Sequence, residues 1–133
     1  MDKAISSKAW PAITQAMLVG YAKVSGDNNP IHQDEAVAKK AGLPGVIALG
    51  MLTAAFVAER AVLFMAEESG LVGFRLEKFS TRFKAMTFLG DVISVEGMVR
   101  SAEGARVVLD LTARNQKGET TTTGWAEFGK PGA

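Results

Sequence analysis

Residues 50–68 read GMLTAAFVAERAVLFMAEE, and this run decides the fold. Wound into an α-helix, it is apolar on nearly every side, whereas a helix at a protein surface shows a single apolar stripe. We therefore predict a long helix over this run. Such a helix is buried on most of its sides, so other parts of the chain must wrap around it.

Four later segments show patterns typical of β-strands. In residues 79–85, 93–100 and 107–114, apolar side chains alternate with polar or charged ones, and residues 119–128 are rich in threonine and aromatic side chains. A Glu-Gly pair and a Lys-Gly pair fall between these segments, where tight turns form. Alternation indicates a sheet with one covered face and one wetter face.

Only the helix over residues 50–68 is apolar enough to cover the inner face of that sheet. We therefore predict an α+β fold in which an antiparallel sheet wraps around one long central helix, a hotdog architecture. The sequence shows no repeat, low-complexity tract or linker, so residues 1–133 are predicted to form a single domain.

Two shorter helices are predicted in the first half. Thr14 can cap a helix that runs to Ala22, with Gly26 beyond its end. Asp34 can cap a second helix that runs to Lys40. The Asp-Asn-Asn-Pro segment between the two helices favours a loop.

Composition excludes several functions. Lysine and arginine number 15 against 14 aspartates and glutamates, so no strong field is expected to hold nucleic acid or an anionic membrane. The absence of cysteine excludes disulfides, thiolate metal sites and a cysteine nucleophile. Residues 1–7 lack the apolar run of a signal peptide, and glycines and a proline interrupt residues 41–57. We expect a cytoplasmic protein without a membrane span.

The chain has one histidine, His32, and Asp27 lies five residues before it. Histidine can take up and release a proton near neutral pH. Pro30 stiffens the loop between the two residues and restricts Asn29, so both side chains can be aimed at one point, as acid–base catalysis requires. Composition alone favours the plainer interpretation, in which Asp27 caps the turn and His32 is a surface residue before a helix.

Other kinds of site have weaker support. A zinc site is not expected, although Asp34 and Glu35 lie near His32, because the chain has a single histidine and no cysteine. Ser25 and Ser80 show no pattern that would mark a nucleophile. Glycine-rich phosphate loops of the standard spacings are also absent.

Residues 21–32 read YAKVSGDNNPIH, and this run resembles the signature of the MaoC-like dehydratases, which include the (R)-specific enoyl-CoA hydratases. Residues 45–53, GVIALGMLT, resemble the entry into that family's central helix. Residues 82–85 and the Gly90-Asp91 pair resemble its first long strand and the following turn. The resemblance covers roughly residues 14–128.

The resemblance implies a hydratase that adds water to trans-2-enoyl thioesters of CoA or acyl carrier protein, giving (R)-3-hydroxyacyl thioesters. Asp27 and His32 would be the catalytic pair, the Gly50 N–H would bind the thioester oxygen, and Asn29 and Pro30 would support the loop. No cofactor or metal is expected. Apolar candidates for binding the acyl chain are Tyr21, Ile47, Met51, Leu52 and Phe56.

Two departures from the family pattern are visible. Leu49 stands where a histidine is customary: either it simply fills the space with apolar volume, or it makes the pocket drier, which would favour alkyl over polar acyl chains. The region before Thr14 is short, so the family's first strand is expected to be truncated or irregular.

Two alternatives use the same fold: a thioesterase, and a non-catalytic subunit that binds acyl thioesters. The Asp27 to His32 spacing favours the hydratase over both. A single hotdog domain exposes one strand edge, and exposed edges pair readily. We therefore expect a homodimer, or a heterodimer with a related hotdog chain.

Overall fold

The computed structural model describes residues 4–68 and 71–132. Five strands form one antiparallel sheet in the order β1-β3-β4-β5-β2. The strands are β1 (Ala4–Ala9), β2 (Arg75–Phe83), β3 (Ser94–Glu103), β4 (Arg106–Arg114) and β5 (Thr120–Gly129). The predicted α+β hotdog fold, an antiparallel sheet around a central helix, is confirmed.

The central helix α3 (Gly50–Glu67) lies against the inner face of the sheet and contacts β2, β3, β4 and β5. Val57 and Ala61 are fully buried on this helix. Burial is not complete around it, because Met51 and Val62 are exposed. The predicted helix therefore matches the observed one to within a residue, and most of its surface is covered.

The alternation in β4 shows how the sequence orients the sheet. Val107, Leu109, Leu111 and Ala113 point inward and are at most 2% exposed. Their neighbours along the strand are only partly buried on the outer face. Since burying a branched aliphatic side chain contributes roughly 1.5–3 kcal/mol, this register is strongly specified.

The first half contains α1 (Gln15–Ser25), a single 3₁₀ turn (Pro30–His32) and α2 (Glu35–Lys40). The Thr14 and Asp34 side chains accept the predicted capping hydrogen bonds at the starts of α1 and α2. Helix α1 extends three residues past Ala22 and ends at Gly26, whose φ of 80° lies in the left-handed region that glycine tolerates.

Strand β2 begins four residues earlier than its alternation predicts. Nearly all of its side chains are exposed in this chain, so its first residues carry no apolar pattern that reveals a strand. Its end is also shifted, because the N–H groups of Lys84 and Ala85 both donate to the Thr121 carbonyl and leave the ladder. Strand β2 forms an open edge of the sheet.

The first strand, expected to be truncated or irregular, is six residues long and pairs with β3. Its register shifts between Ile5 and Lys8, so the irregular part of the expectation holds. Ile5 is buried and joins the core, which anchors the strand despite the shift.

The segment before α3 is fixed by contacts with the segment after β2. Ile47 forms a β-bridge with Phe88, and the Ala48 N–H donates to the Thr87 carbonyl at 2.7 Å. These contacts bring the start of α3 next to the residues that follow β2. Within residues 4–68 and 71–132, no helix combines the length and the apolar character needed to span a membrane.

Candidate active site

The loop after α1 is held by a succession of side-chain to backbone hydrogen bonds. The Asp27 N–H donates to Ser25 Oγ at 3.3 Å, the Asn29 N–H to Asp27 Oδ1 at 3.2 Å, and the Ile31 N–H to Asn29 Oδ1 at 3.2 Å. Each bond spans two residues, as in Asx turns. The loop therefore fixes the Asp27 carboxylate through one oxygen and leaves Oδ2 free of this network.

His32 closes the 3₁₀ turn, and its side chain is buried. Its Nδ1 lies 2.9 Å from the Ile47 carbonyl oxygen. A carbonyl oxygen only accepts, so Nδ1 carries the proton and, in the neutral ring, Nε2 presents its lone pair. Nε2 lies 3.9 Å from Asp27 Oδ2. The basic nitrogen and a carboxylate oxygen thus face each other.

A separation of 3.9 Å is too long for a direct hydrogen bond between Nε2 and Oδ2. A water molecule about 2.8 Å from each atom would bridge this separation, as is common for gaps above about 3.5 Å. Asp27 is half exposed, so water can reach the pair, while His32 forms the buried side of the site.

A pocket of about 370 Å³ opens beside His32. Its volume lies within the range of about 300–1,000 Å³ that small-molecule sites occupy. The lining residues come from the loop, the start of α3, the region after β2, and β5: His32, Ile47, Ala48, Gly50, Thr53, Phe83, Lys84, Ala85, Met86, Thr87 and Thr122.

Gly50 is the first residue of α3 and lies on the pocket wall. Leu49 precedes it and offers no side-chain cap, and the Gly50 N–H has no hydrogen-bond partner among the described residues. The first N–H groups of a helix carry a partial positive charge. A Cβ on Gly50 would lie 3.0 Å from Phe83 Cζ, so glycine permits this close approach.

Residues 1–121 match the MaoC-like domain family. This chain belongs to the MaoC-like family. The match includes the loop of Asp27 and His32, the start of α3 and four of the five strands, so it covers the whole site except Thr122.

Individual relatives are similar over different lengths of this MaoC-like chain. The R-hydratase PhaJ1 from Pseudomonas aeruginosa has a TM-score of 0.81 and 29% identity, covering 98% of this chain and 81% of its own. The fatty acid synthase subunit beta of Aspergillus oryzae is 39% identical over 108 residues, 80% of this chain. The chain spans only 5% of that subunit.

A shorter match is with 3-hydroxyacyl-thioester dehydratase X from Mycobacterium tuberculosis. It is 56% identical over 45 residues, which is 34% of this chain and 16% of that protein. High identity over so short a stretch indicates a locally similar segment within the MaoC-like family.

The structure brings some of the predicted site residues together. Asp27, His32 and Asn29 meet in one loop, and Ile47 and Gly50 line the pocket with His32. The other acyl-binding candidates do not line it. Leu52 and Phe56 are buried in the core, Tyr21 packs against that core, and Met51 is exposed.

Leu49 also lies away from the pocket of this MaoC-like domain. It is 3% exposed and belongs to the core cluster. The expectation that it makes the pocket drier therefore loses its premise, because the side chain does not form part of the lining. The helix turns its first residue, Gly50, toward the pocket and Leu49 toward the interior.

Sequence reasoning missed the polar part of the lining. Thr53, Thr87 and Thr122 are each at most 4% exposed, and all three line the pocket. For Thr53 a signal existed, since it follows Gly50 by three residues and so shares its face of α3. Thr87 lies in an irregular segment and Thr122 in a strand of four threonines, where no periodicity distinguishes them.

Proposed function

We propose that this domain is a hydro-lyase that reversibly hydrates trans-2-enoyl thioesters to (R)-3-hydroxyacyl thioesters. One observation carries the proposal: Asp27 Oδ2 and His32 Nε2 face each other at 3.9 Å, and His32 lines the pocket. Two similar proteins are named as an R-hydratase and a 3-hydroxyacyl-thioester dehydratase, and these names describe the reaction and its reverse.

The chemistry follows from the two facing atoms. A water molecule between Asp27 and His32 gives up a proton to the pair as its oxygen bonds to C3 of the enoyl chain. The C2–C3 π bond breaks, and the pair returns one proton to C2. One water is consumed, no electrons are gained or lost overall, and both catalytic groups are restored. Positioned proton transfer of this kind contributes about 10²–10⁴-fold to a rate.

Negative charge develops on the thioester oxygen as water adds to C3. We assign the Gly50 N–H to that oxygen, because this donor is unpaired and stands at the positive end of an 18-residue helix. A preorganised donor of this type is typically worth about 10²–10³-fold in rate. Gly50 and His32 line the same pocket, so both can contact one substrate.

Asn29 and Pro30 are assigned to positioning. Asn29 Oδ1 accepts the Ile31 N–H, and Pro30 opens the 3₁₀ turn that ends at His32. Ile47 is the predicted acyl-binding residue that lines the pocket. Leu52 and Phe56 would touch an acyl chain only if it passed between α3 and the sheet.

The proposed reaction moves only water and protons, so it calls for no cofactor. The carrier of the acyl group is CoA or acyl carrier protein. We also propose that the protein works as a homodimer, or as a heterodimer with a related hotdog chain. The open edge of β2 supports this, because its side chains are nearly all exposed, including Leu76 and Phe83.

Thioester hydrolysis is the alternative reaction, and one assay separates it from hydration. The purified chain is mixed with crotonyl-CoA, and two signals are followed: loss of the enoyl-thioester absorbance and release of free thiol. We expect the first without the second, and a product of R configuration on chiral analysis. Thiol release in step with substrate loss, or no change in either signal, would overturn the proposal.

A further inference from the structure

Three threonines form a polar wall in the pocket beside His32. Thr53 lies on α3, Thr87 in the segment after β2, and Thr122 on β5 opposite Phe83. Their relative exposures are 2%, 4% and 1%. We call these three residues the threonine wall. It comes from three separate parts of the chain, so it is a feature of the folded pocket.

None of the three hydroxyl groups has a hydrogen-bond partner within residues 4–68 and 71–132. Most buried polar side chains in proteins are paired. Thr121 shows the usual arrangement in the same strand, since its buried Oγ1–H donates to the Ala113 carbonyl at 3.4 Å. The threonine wall differs from Thr121 because its hydroxyl oxygens reach the pocket: among the described residues, the fully buried side-chain polar atom without a partner is Arg60 Nη1, and none of the three threonine hydroxyls.

The backbone of the wall is held in place even though its hydroxyls are free. The Thr87 carbonyl accepts the Ala48 N–H at 2.7 Å, and Thr53 lies within the first turns of α3. Thr122 is part of the ladder between β2 and β5. Unpaired hydroxyls on a fixed backbone are preorganised for a ligand, because little further ordering is needed when it binds.

We infer that the threonine wall selects enoyl thioesters whose acyl chain carries a neutral oxygen group, a hydroxyl or a ketone, beyond C3. This inference rests on the proposed hydratase function and names its substrate class. A threonine hydroxyl both donates and accepts, so it can pair with either group. A plain alkyl chain would bury the three hydroxyls without partners, which is unfavourable.

A carboxylate is less suited to this wall. The three side chains are neutral, and Lys84, the cation in the lining, is exposed and belongs to no ion pair among the described residues. A carboxylate held among neutral hydroxyls would lose its hydration without a buried counter-charge. The wall therefore favours neutral oxygen groups over anionic ones.

The test compares chains of one length. Hydration rates are measured for trans-hex-2-enoyl-CoA and for its derivatives hydroxylated at C4, C5 or C6, because each hydroxyl reaches a different depth. We expect at least one derivative to exceed the alkyl substrate in kcat/KM by about tenfold. Equal or lower values for all three would overturn the inference.

Single substitutions show which threonine hydroxyl pairs with the oxygen of the acyl chain. Thr53→Val and Thr122→Val remove a hydroxyl at nearly constant shape, and each should lower the ratio of hydroxylated to alkyl kcat/KM by about tenfold when its hydroxyl is used. Thr53→Ser and Thr122→Ser keep the hydroxyl and should keep the ratio. Thr121→Val, a buried threonine outside the lining, is the control. A ratio unchanged in both valine variants, or lowered equally by the control, would contradict the inference.

A binding measurement separates this inference from the proposed function. Calorimetry with the wild-type chain compares hexanoyl-CoA with 4-, 5- and 6-hydroxyhexanoyl-CoA and with the CoA monothioester of hexanedioic acid, none of which can be hydrated. Tighter binding of a hydroxylated chain supports the inference even if hydration fails. Tightest binding of the alkyl chain or of the carboxylated chain would overturn it even if hydration succeeds.

Discussion

The loop of residues 25–32, here called the acid–base loop, reaches the pocket through His32, and the threonine wall lines the same pocket, but the two use their polar groups in opposite ways. In the loop, Ser25, Asp27 and Asn29 each accept a hydrogen bond from a backbone N–H two residues further on. In the wall, the three hydroxyls have no partner among the described residues. The polar groups of the loop form hydrogen bonds that hold the loop's own conformation, whereas the hydroxyls of the wall remain available to a ligand.

The contrast separates two roles in one site. Residues that react must be held in position, so their remaining polar atoms are bonded within the protein. Residues that choose a substrate must present unused donors and acceptors, and binding then supplies the missing partners. His32 combines the two roles, because Nδ1 is bonded to the Ile47 carbonyl while Nε2 is open to the pocket side.

The largest effect is expected from the reacting pair. Asp27→Asn and His32→Ala should each lower hydration of crotonyl-CoA by about 10³-fold or more, because proton transfer to and from the water is lost. The double variant should be little worse than either single one, since the two groups act as a unit. Rates are read from the enoyl absorbance, with circular dichroism to confirm folding.

Asp34→Asn provides the matched control for the pair. Asp34 caps α2 and takes no part in the site, so its variant should keep near-normal turnover. Near-normal turnover in Asp27→Asn or His32→Ala would mean that the residue is not part of the catalytic machinery. Strictly additive losses would mean that the two act independently.

The next effect is expected at the start of α3. In Gly50→Ala the new Cβ would meet the half-exposed Phe83 ring at 3.0 Å, so the ring has to shift beside the free N–H. The ring has to give way by a few tenths of an ångström, so we expect kcat to fall by more than about tenfold but by less than the roughly 10²-fold that a 1 Å misplacement costs. Phe83→Leu in the same chain should restore part of the loss.

Gly20→Ala is the control for this substitution. Gly20 lies within α1, and a Cβ there meets nothing within 4 Å, so turnover should be unchanged. Both variants should fold, since alanine favours a helix over glycine by about 1 kcal/mol. If Gly50→Ala retained full kcat, the close approach that glycine permits beside Phe83 would not be needed for turnover.

A smaller effect is expected from loosening the acid–base loop. Asn29→Ala removes the acceptor of the Ile31 N–H, while the backbone bond from His32 to the Asn29 carbonyl remains. We expect kcat to fall by about tenfold, with KM little changed, because one bond of about 1 kcal/mol aligns the pair. Steady-state kinetics on crotonyl-CoA measures both constants.

Asn29→Ser should recover most of that loss, because serine also offers an oxygen at the start of the turn. Asn28→Ala is the control, since the Asn28 side chain is exposed and has no hydrogen bond in the described part of the chain. Equal losses at positions 28 and 29, or no recovery in the serine variant, would contradict a positioning role for Asn29.

The local signals in the sequence predicted the fold and the loop well. The helix from Gly50 and the alternation of residues 107–114 each depend on periodicity within one segment, and both match the structure. Asp27 and His32 are five residues apart, so their proximity is nearly a local property as well. Structure that depends on the residues of a single segment can be predicted from the sequence of that segment.

Most of the pocket lining could not be predicted in this way, because it depends on contacts between distant segments, although Ile47 and Gly50 were predicted and the position of Thr53 on the face of Gly50 gave a local signal. Thr53, Thr87 and Thr122 are brought together by the β-bridge before α3 and by the pairing of β2 with β5. Leu52 and Phe56 share a helix with Gly50 but face the core. Leu49 also faces the core, although it adjoins Gly50 in sequence.

The smallest expected effect is a change in the free energy of unfolding of the chain without substrate. Thr53→Val removes a hydroxyl that reaches the pocket and has no partner among the described residues, so the free energy of unfolding should stay the same or rise by up to about 1 kcal/mol. Thr121→Val removes the donor to the Ala113 carbonyl and should lower it by about 1 kcal/mol. Urea unfolding measures both, and the two melting temperatures should differ by several degrees. A loss in Thr53→Val as large as that in Thr121→Val would show that the Thr53 hydroxyl is already satisfied in the empty pocket. The polar groups of the wall, like those of the loop, would then already be hydrogen-bonded without a ligand.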